Sequence, residues 1–285
     1  MTLQMAKKGL YLQLTNLYDE READNIADWV MEYITGMKKI DRLMIYQQPL
    51  SNNQLNLLKR LTYDLINHRP IQYVLGEAWF AGIKFFVNES VLIPRPETEE
   101  LVDWVACTIK HSKSKIQKLL DIGTGSGCIP ISLKKKLPQL SVTSIDISEA
   151  ALKVAKQNAD SLGISIDLVT INFLDENSWN VLPIFDLIIS NPPYIKQTEE
   201  KNMSRNVLDF EPSLALFVPD EDALIFYKKI FLFSKTHLAK NGYIFLEINE
   251  TLGNEVVQLF ESNEFLVELK KDLQEKDRML KISFS

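Results

Sequence analysis

The chain has 285 residues, of which 46% are hydrophobic and 25% charged, and a formal net charge of -6 at pH 7. That length suits a catalytic domain with a small accessory one, and the composition excludes extended disorder. The acidic balance speaks against a dedicated nucleic-acid binder, which carries a basic excess to meet phosphates.

Cys107 and Cys128, with His68, His111 and His237 as the histidines, form neither a zinc-site spacing nor a disulfide framework, so no metal and a reducing cytoplasm are expected. Lys7 and Lys8 before Gly9-Leu10-Tyr11-Leu12-Gln13-Leu14 have the outline of a signal peptide. Gln13 breaks the apolar run, however, and Asp19, Glu20 and Glu22 follow, which fits a helix start instead. No apolar stretch approaches the ~18–20 residues of a membrane span, so a soluble protein without membrane contact is expected.

Residues 1 to about 68 read as entirely helical. Ala23, Ile26, Ala27, Val30, Met31 and Ile34 recur at helical spacing, as do Leu55, Leu58, Leu61 and Leu65 behind a Ser51 N-cap. Such stripes are ordinarily core. Between Tyr73 and Val91, aromatic and β-branched residues lie among Gly76, Gly82 and Asn88, the pattern of a short hairpin connector. Pro94 and Pro96 then bracket Arg95, and Glu97-Thr98-Glu99-Glu100 opens a helix with acidic residues in its first turn. The expected boundaries are a helical domain over 1–70, a connector over 71–95 and a catalytic domain over 96–285.

From Lys118, strand and helix patterns alternate. Strands are predicted at 118–122, 141–147, 164–170, 185–190 and 242–248, with helices near 127–137, 148–162, 221–239 and 251–262. This alternation builds a mostly parallel sheet covered on both faces. Two further strand patterns, 265–273 and 278–284, are too closely spaced for a crossover helix, so one strand of the resulting seven must run antiparallel.

Three motifs fall where these strands end. Gly123-Thr124-Gly125-Ser126-Gly127 follows Asp121-Ile122 at a strand-to-helix turn, where glycines let the backbone approach a ligand closely. Its third glycine comes one residue earlier than in the dinucleotide fingerprint G-x-G-x-x-G. Asp146 ends the next strand, 19 residues beyond Gly127, where a carboxylate can accept from both hydroxyls of a ribose. A capping aspartate is an equal reading of Asp146 until the glycine loop is counted. Phe173 can cover an adenine face beside Asn172, and core packing is the rival reading. The sharpest motif is Asn191-Pro192-Pro193-Tyr194. Its prolines fix two φ angles and remove two N–H donors, leaving a stiff edge of acceptors beyond a carboxyl-terminal strand end. The Asn191 side-chain oxygen and the Pro192 carbonyl can accept the two protons of an NH2 group while Tyr194 packs on its plane. That grip would aim the nitrogen lone pair at an electrophilic carbon.

With these motifs the chain resembles the class I, Rossmann-like methyltransferases, and within them the protein-(glutamine-N5) methyltransferases of peptide chain release factors. The likeness spans nearly the whole chain. It rests also on Arg69-Pro70-Ile71-Gln72-Tyr73 with Gly76, on Ile93-Pro94-Arg95-Pro96-Glu97-Thr98-Glu99, and on Phe210-Glu211-Pro212-Ser213-Leu214-Ala215-Leu216. The resemblance implies a helical N-terminal domain that helps hold the release factor, and transfer of a methyl group from S-adenosylmethionine to the glutamine of a Gly-Gly-Gln motif. It makes Gly123, Thr124, Gly125, Ser126, Gly127, Asp146, Phe173 and Asn191 cofactor contacts. By the same implication Asn191, Pro192, Pro193 and Tyr194 form the glutamine site, with Asn191, Pro192 and Tyr194 catalytic. A monomer without direct nucleic-acid contact is expected. Two departures stand out: Asp222-Ala223-Leu224 where relatives often have Asp-Gly-Leu, and Glu275 where a glycine is common. The alternatives are a glutamine methyltransferase of a ribosomal protein, an adenine-N6 nucleic-acid methyltransferase acting on a flipped base, and a binding module that has lost activity.

Overall fold

The computed structural model describes residues 1–261 and 265–284, apart from the side chain of Asn202. The chain packs into two compact units, one of residues 1–77 with 204–210, the other of 78–203 with 211–285.

The first unit begins with five helices: α1 Leu3–Leu14, α2 Glu20–Thr35, α3 Lys39–Met44, α4 Asn52–Ile66 and α5 Ile71–Leu75. The sequence dictates their starts. Thr2 and Asp19 accept from backbone N–H groups three residues on, and Ser51 forms a capping box with Gln54. All six residues of the 23–34 stripe are buried, and they pack with Leu10, Leu14, Leu58, Leu61 and Leu65 into one core, with Leu55 half-buried against it. Residues 71–75, expected within the connector, are helical: Pro70 stands at the N-cap and Gly76, at φ 69°, closes the turn.

A hairpin follows, β1 Glu77–Phe80 and β2 Ile83–Phe86, joined by Ala81 and Gly82 at positive φ as a two-residue turn demands. Phe80, Ile83 and Phe85 are buried against Leu101, Val102 and Val105 of α6 Pro96–His111, so the hairpin belongs to the larger unit's core. The chain continues through β3 Lys118–Ile122, α7 Cys128–Lys136, β4 Ser141–Asp146, α8 Glu149–Ser161, β5 Asp167–Thr170 and β6 Phe185–Ser190. After β7 Ile195–Lys196, α9 Arg205–Leu208, α10 Ser213–Leu216 and β8 Phe217–Val218 come α11 Ile225–His237, β9 Leu238–Glu247, α12 Gly253–Glu261, β10 Phe265–Lys271 and β11 Asp277–Phe284.

Seven strands form one sheet in the order β10-β11-β9-β6-β3-β4-β5. Strands β3, β4, β5, β6 and β9 pair in parallel, and β11 runs against both its neighbours, the single reversal expected from the closely spaced last strands. Apolar side chains fill both faces: Leu120, Ile188 and Ile244 on one, Leu119, Leu187 and Phe245 on the other. The chain winds from β3 outward to β5 and then returns to β6 on the other side of β3. Such a switch point leaves a crevice beyond the carboxyl ends of the strands.

Some boundaries differ from the sequence pattern. β5 starts at Asp167 and not at Ile164, because Gly163 at φ 66° and the bond from Ile164 N–H to Ala159 carbonyl still belong to the end of α8. β9 starts at Leu238, which pairs with Phe185 ahead of a bulge, and this cuts α11 short of the expected 239. The helix expected over 251–262 spans 253–261, and residue 262 lies outside the described residues. The short parallel pair β7–β8 has too few residues to leave a period in the sequence.

Candidate active site

The glycine loop leaves the end of β3 with Gly123, Gly125 and Gly127 at φ 76°, 53° and 78°. At Gly127 a Cβ would meet Ile131 Cδ1 at 3.0 Å and Ala155 Cβ at 3.2 Å, so glycine alone lets the loop close onto α7 and α8. Buried Asn158 of α8 stitches the loop in place: its amide donates to the carbonyls of Ser126 and Phe86, and its oxygen accepts from Phe86 N–H at 2.7 Å. Asp146 lies beside the loop. One carboxylate oxygen accepts from Gly125 N–H and the other from Ser148 N–H, both at 2.9 Å. Burial lifts the Asp146 carboxyl above its ordinary range, opposed by the backbone N–H groups of Ser148, Gly125 and Ile147. The cap of α8 is Ser148, whose hydroxyl accepts from Ala151 N–H, so Asp146 is not the capping residue.

An open, mostly apolar cleft lies at the strand ends, the usual place for a small-molecule site in such a sheet. Of the residues singled out from the sequence, Gly123, Gly125, Asp146, Phe173, Asn191, Pro192 and Pro193 line it. Thr124, Ser126, Gly127 and Tyr194 are not among the lining residues. Thr124 and Ser126 are buried with hydroxyls outside hydrogen-bond geometry to any described protein atom, as are both carboxyl oxygens of Asp121. Desolvation pushes Asp121 up to about 7, with the hydroxyls of Thr124 and Ser144 facing it and drawing it back. Phe173 answers to both of its readings. It lines the cleft, and it is also 5% exposed, tilted on Trp179 and edge-on to Phe233 at 5.4 Å each. Asn172 also lines the cleft, with its side-chain oxygen accepting from Leu174 N–H.

These residues fit an adenosine-bearing cofactor. A carboxylate has about four lone-pair sites, and Asp146 uses one on each oxygen for the protein, leaving acceptors for two ribose hydroxyls. Apart from each glycine and its chain neighbours, no described protein atom lies within 4 Å of the Cβ position of Gly123 or Gly125, so the backbone there is open to close approach. Apolar Ile145, Ile147 and Phe173 supply a face for a base.

The opposite wall is held by a buried carboxylate. Glu247, at the end of β9 and 1% exposed, accepts from Thr98 hydroxyl at 2.6 Å with one oxygen and from Tyr194 hydroxyl at 3.2 Å with the other. Asn191 Nδ2 in turn donates to Thr98 Oγ1 at 3.1 Å. Desolvation pushes Glu247 up to about 7, with Thr98, Arg278 and Tyr194 opposing. Tyr194 packs half-buried against the core, and its own hydroxyl is raised by desolvation and by the Glu247 charge. The cleft's rim carries Pro212, Leu214 and Ala215, and the preceding residue, Glu211, anchors it. Glu211 is buried, with its oxygens bonded to Arg95 Nη2 at 2.6 Å and Ile93 N–H at 3.2 Å, which joins the Ile93–Pro96 and Glu211–Leu216 motifs.

Thr98, Asn158, Glu211 and Glu247 carry structural duties at the site that the sequence reading did not assign. Glu247 did leave a usable signal, an acidic residue closing the otherwise apolar run Tyr243–Leu246. Among the described residues no group of three or more His, Cys, Asp or Glu is placed to hold a metal ion, and no helix is long and apolar enough to cross a membrane.

The chain is similar to known methyltransferases over most of its length. Residues 105–210 match the family model described as Methyltransferase small domain, and residues 11–76 match PrmC N-terminal domain. The chain is 44% identical over 273 residues to the release factor glutamine methyltransferase of Flavobacterium psychrophilum, covering 95% of each chain. It is 39% identical over 273 residues to that of Bacteroides thetaiotaomicron, covering 94% of this chain and 95% of that one. The hMettl16 catalytic domain, solved in complex with an RNA hairpin of MAT2A, shares the fold at a TM-score of 0.56 and 16% identity, with 82% of this chain and 83% of that one covered.

Proposed function

The chain belongs to the release factor glutamine methyltransferase family, and from that premise we propose that it transfers the methyl group of S-adenosylmethionine to the side-chain amide nitrogen of the glutamine in the Gly-Gly-Gln motif of a release factor. One observation carries the assignment of the site: Asn191 and Pro192 share a cleft with Gly123, Gly125 and Asp146, which brings an acceptor edge and a nucleoside site together.

The cofactor supplies a methyl group already activated on a positive sulfur. What remains for the protein is positioning, exclusion of water and stabilisation of charge. A carboxamide nitrogen is a poor nucleophile because its lone pair is delocalised. The Asn191 side-chain oxygen and the Pro192 carbonyl accept hydrogen bonds from its NH2 group, enrich the nitrogen and stabilise the positive charge that grows on it, and the methylated amide then sheds one of those protons to solvent. Asp146 and the glycine loop hold the nucleoside, and Phe173 covers its base. The helices of residues 1–77 serve as the release-factor docking region, and the unit of 78–203 with 211–285 as the catalytic one. The net charge of -6 supports a protein that contacts no nucleic acid directly, and we propose that it acts as a cytoplasmic monomer.

The test is incubation of purified protein with methyl-labelled S-adenosylmethionine and a release factor, beside a Gln-to-Ala variant of that factor and a DNA control. Label on the intact factor alone is expected. Equal label on the variant, or label on DNA, overturns the glutamine assignment.

A further inference from the structure

We propose that Glu247 is a positioning residue for methyl transfer, setting through Thr98 which end of the Asn191 carboxamide faces the cleft. This rests on the reading of Asn191 as the grip on the substrate amide.

The inference follows from counting protons along the chain of bonds. A threonine hydroxyl has one proton to give. Thr98 gives it to Glu247 Oε2, at 2.6 Å, a charge-assisted length. The 3.1 Å contact between Thr98 Oγ1 and the Asn191 amide therefore has to be donated by Asn191 Nδ2. With its NH2 group committed to Thr98, Asn191 offers the cleft its oxygen, the end that can accept from a substrate NH2. If the direction at Thr98 were reversed, its hydroxyl would donate to the Asn191 oxygen, and the carboxamide would present NH2 to NH2. The second Glu247 oxygen accepts from Tyr194 hydroxyl and so pins the far end of the Asn191–Tyr194 segment. One buried carboxylate thus orients both ends of the rigid tetrapeptide, at Tyr194 directly, 53 positions away in the chain, and at Asn191 through Thr98, which lies 149 positions from Glu247.

Only an acceptor-only group performs this task. A protonated Glu247 must donate from one oxygen, and a glutamine in its place must donate from its NH2. Either change lets the proton order at Thr98 or Tyr194 invert. The groups that face Glu247 are Thr98 and Glu97 of α6, Tyr194 of the tetrapeptide and Arg278 of β11, while Tyr227 of α11 donates from its hydroxyl to the Glu247 carbonyl. Arg278 favours the charged carboxylate and Glu97 opposes it.

Thr98→Val keeps the shape and removes the hydroxyl, Thr98→Ser keeps the hydroxyl, and Glu247→Gln keeps the shape and removes the acceptor-only character. With release factor and S-adenosylmethionine saturating, Thr98→Val and Glu247→Gln are expected to lower kcat by about 10–100-fold, the range of lost supporting hydrogen bonds at catalytic sites. KM for the factor and the Kd for S-adenosylhomocysteine should stay within about threefold of wild type, while Thr98→Ser recovers most of the rate. Wild-type kcat should rise with pH through about 7, and Glu247→Gln should lack that rise. Undiminished kcat in both Thr98→Val and Glu247→Gln, beside an active wild type, overturns the positioning role alone. Thr98→Ser as slow as Thr98→Val overturns it too, since shape and not the hydroxyl would then matter. A wild type that methylates no release factor overturns the underlying reading and this assignment together.

Discussion

The two walls of the cleft are built in different ways. The glycine-loop wall is local: a single turn after β3, one carboxylate at the end of β4, and backbone N–H groups that bind that carboxylate directly. The Asn191 wall is assembled from α6, β6 and β9, and its amide is oriented by a side chain 93 residues away that is itself held by one 149 residues away. The difference separates the two duties. On the proposed reading, a wall of backbone and one carboxylate sets affinity for the nucleoside, whereas a relay of side-chain hydrogen bonds sets the chemistry of transfer.

Substitutions that touch one wall and spare the other sharpen this comparison. The largest effect belongs to Asn191→Ala, which removes the grip itself. A fall in kcat of about 10²–10³-fold is expected from loss of one preorganised polar group, while calorimetry should still find bound S-adenosylhomocysteine. An Asn191→Ala enzyme with wild-type turnover would break the division at once.

Next in size is the cost of keeping Glu247 buried. Its carboxyl stands near 7 in the folded protein against an ordinary 4.5, so the folded state prefers the protonated form. Stability from this group is complete below pH 4.5 and is lost as pH rises through 7, amounting to about 3 kcal/mol by linkage. Asp121, raised from 3.8 to about 7, loses stability in the same direction over a similar window. Urea unfolding at pH 5 and pH 8 should therefore show a smaller drop for Glu247→Gln than for wild type, with the variant more stable at pH 8 and slower in transfer. An unchanged pH slope in the variant would contradict the burial of an ionisable group there.

Asp146→Asn comes third. Replacing the charge-assisted acceptor proposed for the ribose is expected to cost about 1.5–3 kcal/mol, read as weaker S-adenosylhomocysteine binding by calorimetry, with kcat regained when the cofactor is raised to saturation. A kcat deficit that no cofactor concentration repairs would place Asp146 in the transfer step and blur the two walls. The smallest effect lies away from the cleft. Glu275 sits at φ 64°, where a non-glycine residue costs about 1–2 kcal/mol, so Glu275→Gly should raise the melting temperature slightly and leave transfer unchanged. A lowered melting temperature would show that the side chain compensates its strained backbone.

Much of the glycine-loop wall was legible in the sequence because it is written in consecutive residues. Gly123 to Gly127 and Asp146 lie at strand ends whose apolar runs mark them plainly. The seven strands and their one reversal followed from segment spacing for the same reason. The other wall was only half legible. Asn191-Pro192-Pro193 declares itself through proline stiffness, but nothing near it in the chain names Thr98 or Glu247 as its supports, since their meeting depends on how α6 and β9 are placed by the sheet. Segment edges failed where a turn borrowed residues from a strand pattern, as Gly163 and Ile164 do in closing α8. The two departures from the family pattern also part ways in the structure. Ala223 has φ -63°, which any residue adopts, so the missing glycine costs nothing there, whereas Glu275 takes up the left-handed conformation that a glycine would hold without strain.

The account stands most directly on where the methyl group goes. Peptide mapping by mass spectrometry of a release factor treated with the wild-type protein and S-adenosylmethionine should place one methyl group on the side-chain nitrogen of one glutamine, in the Gly-Gly-Gln motif. A methyl group on another residue type, or a factor left unmodified by an enzyme that binds its cofactor, would contradict it.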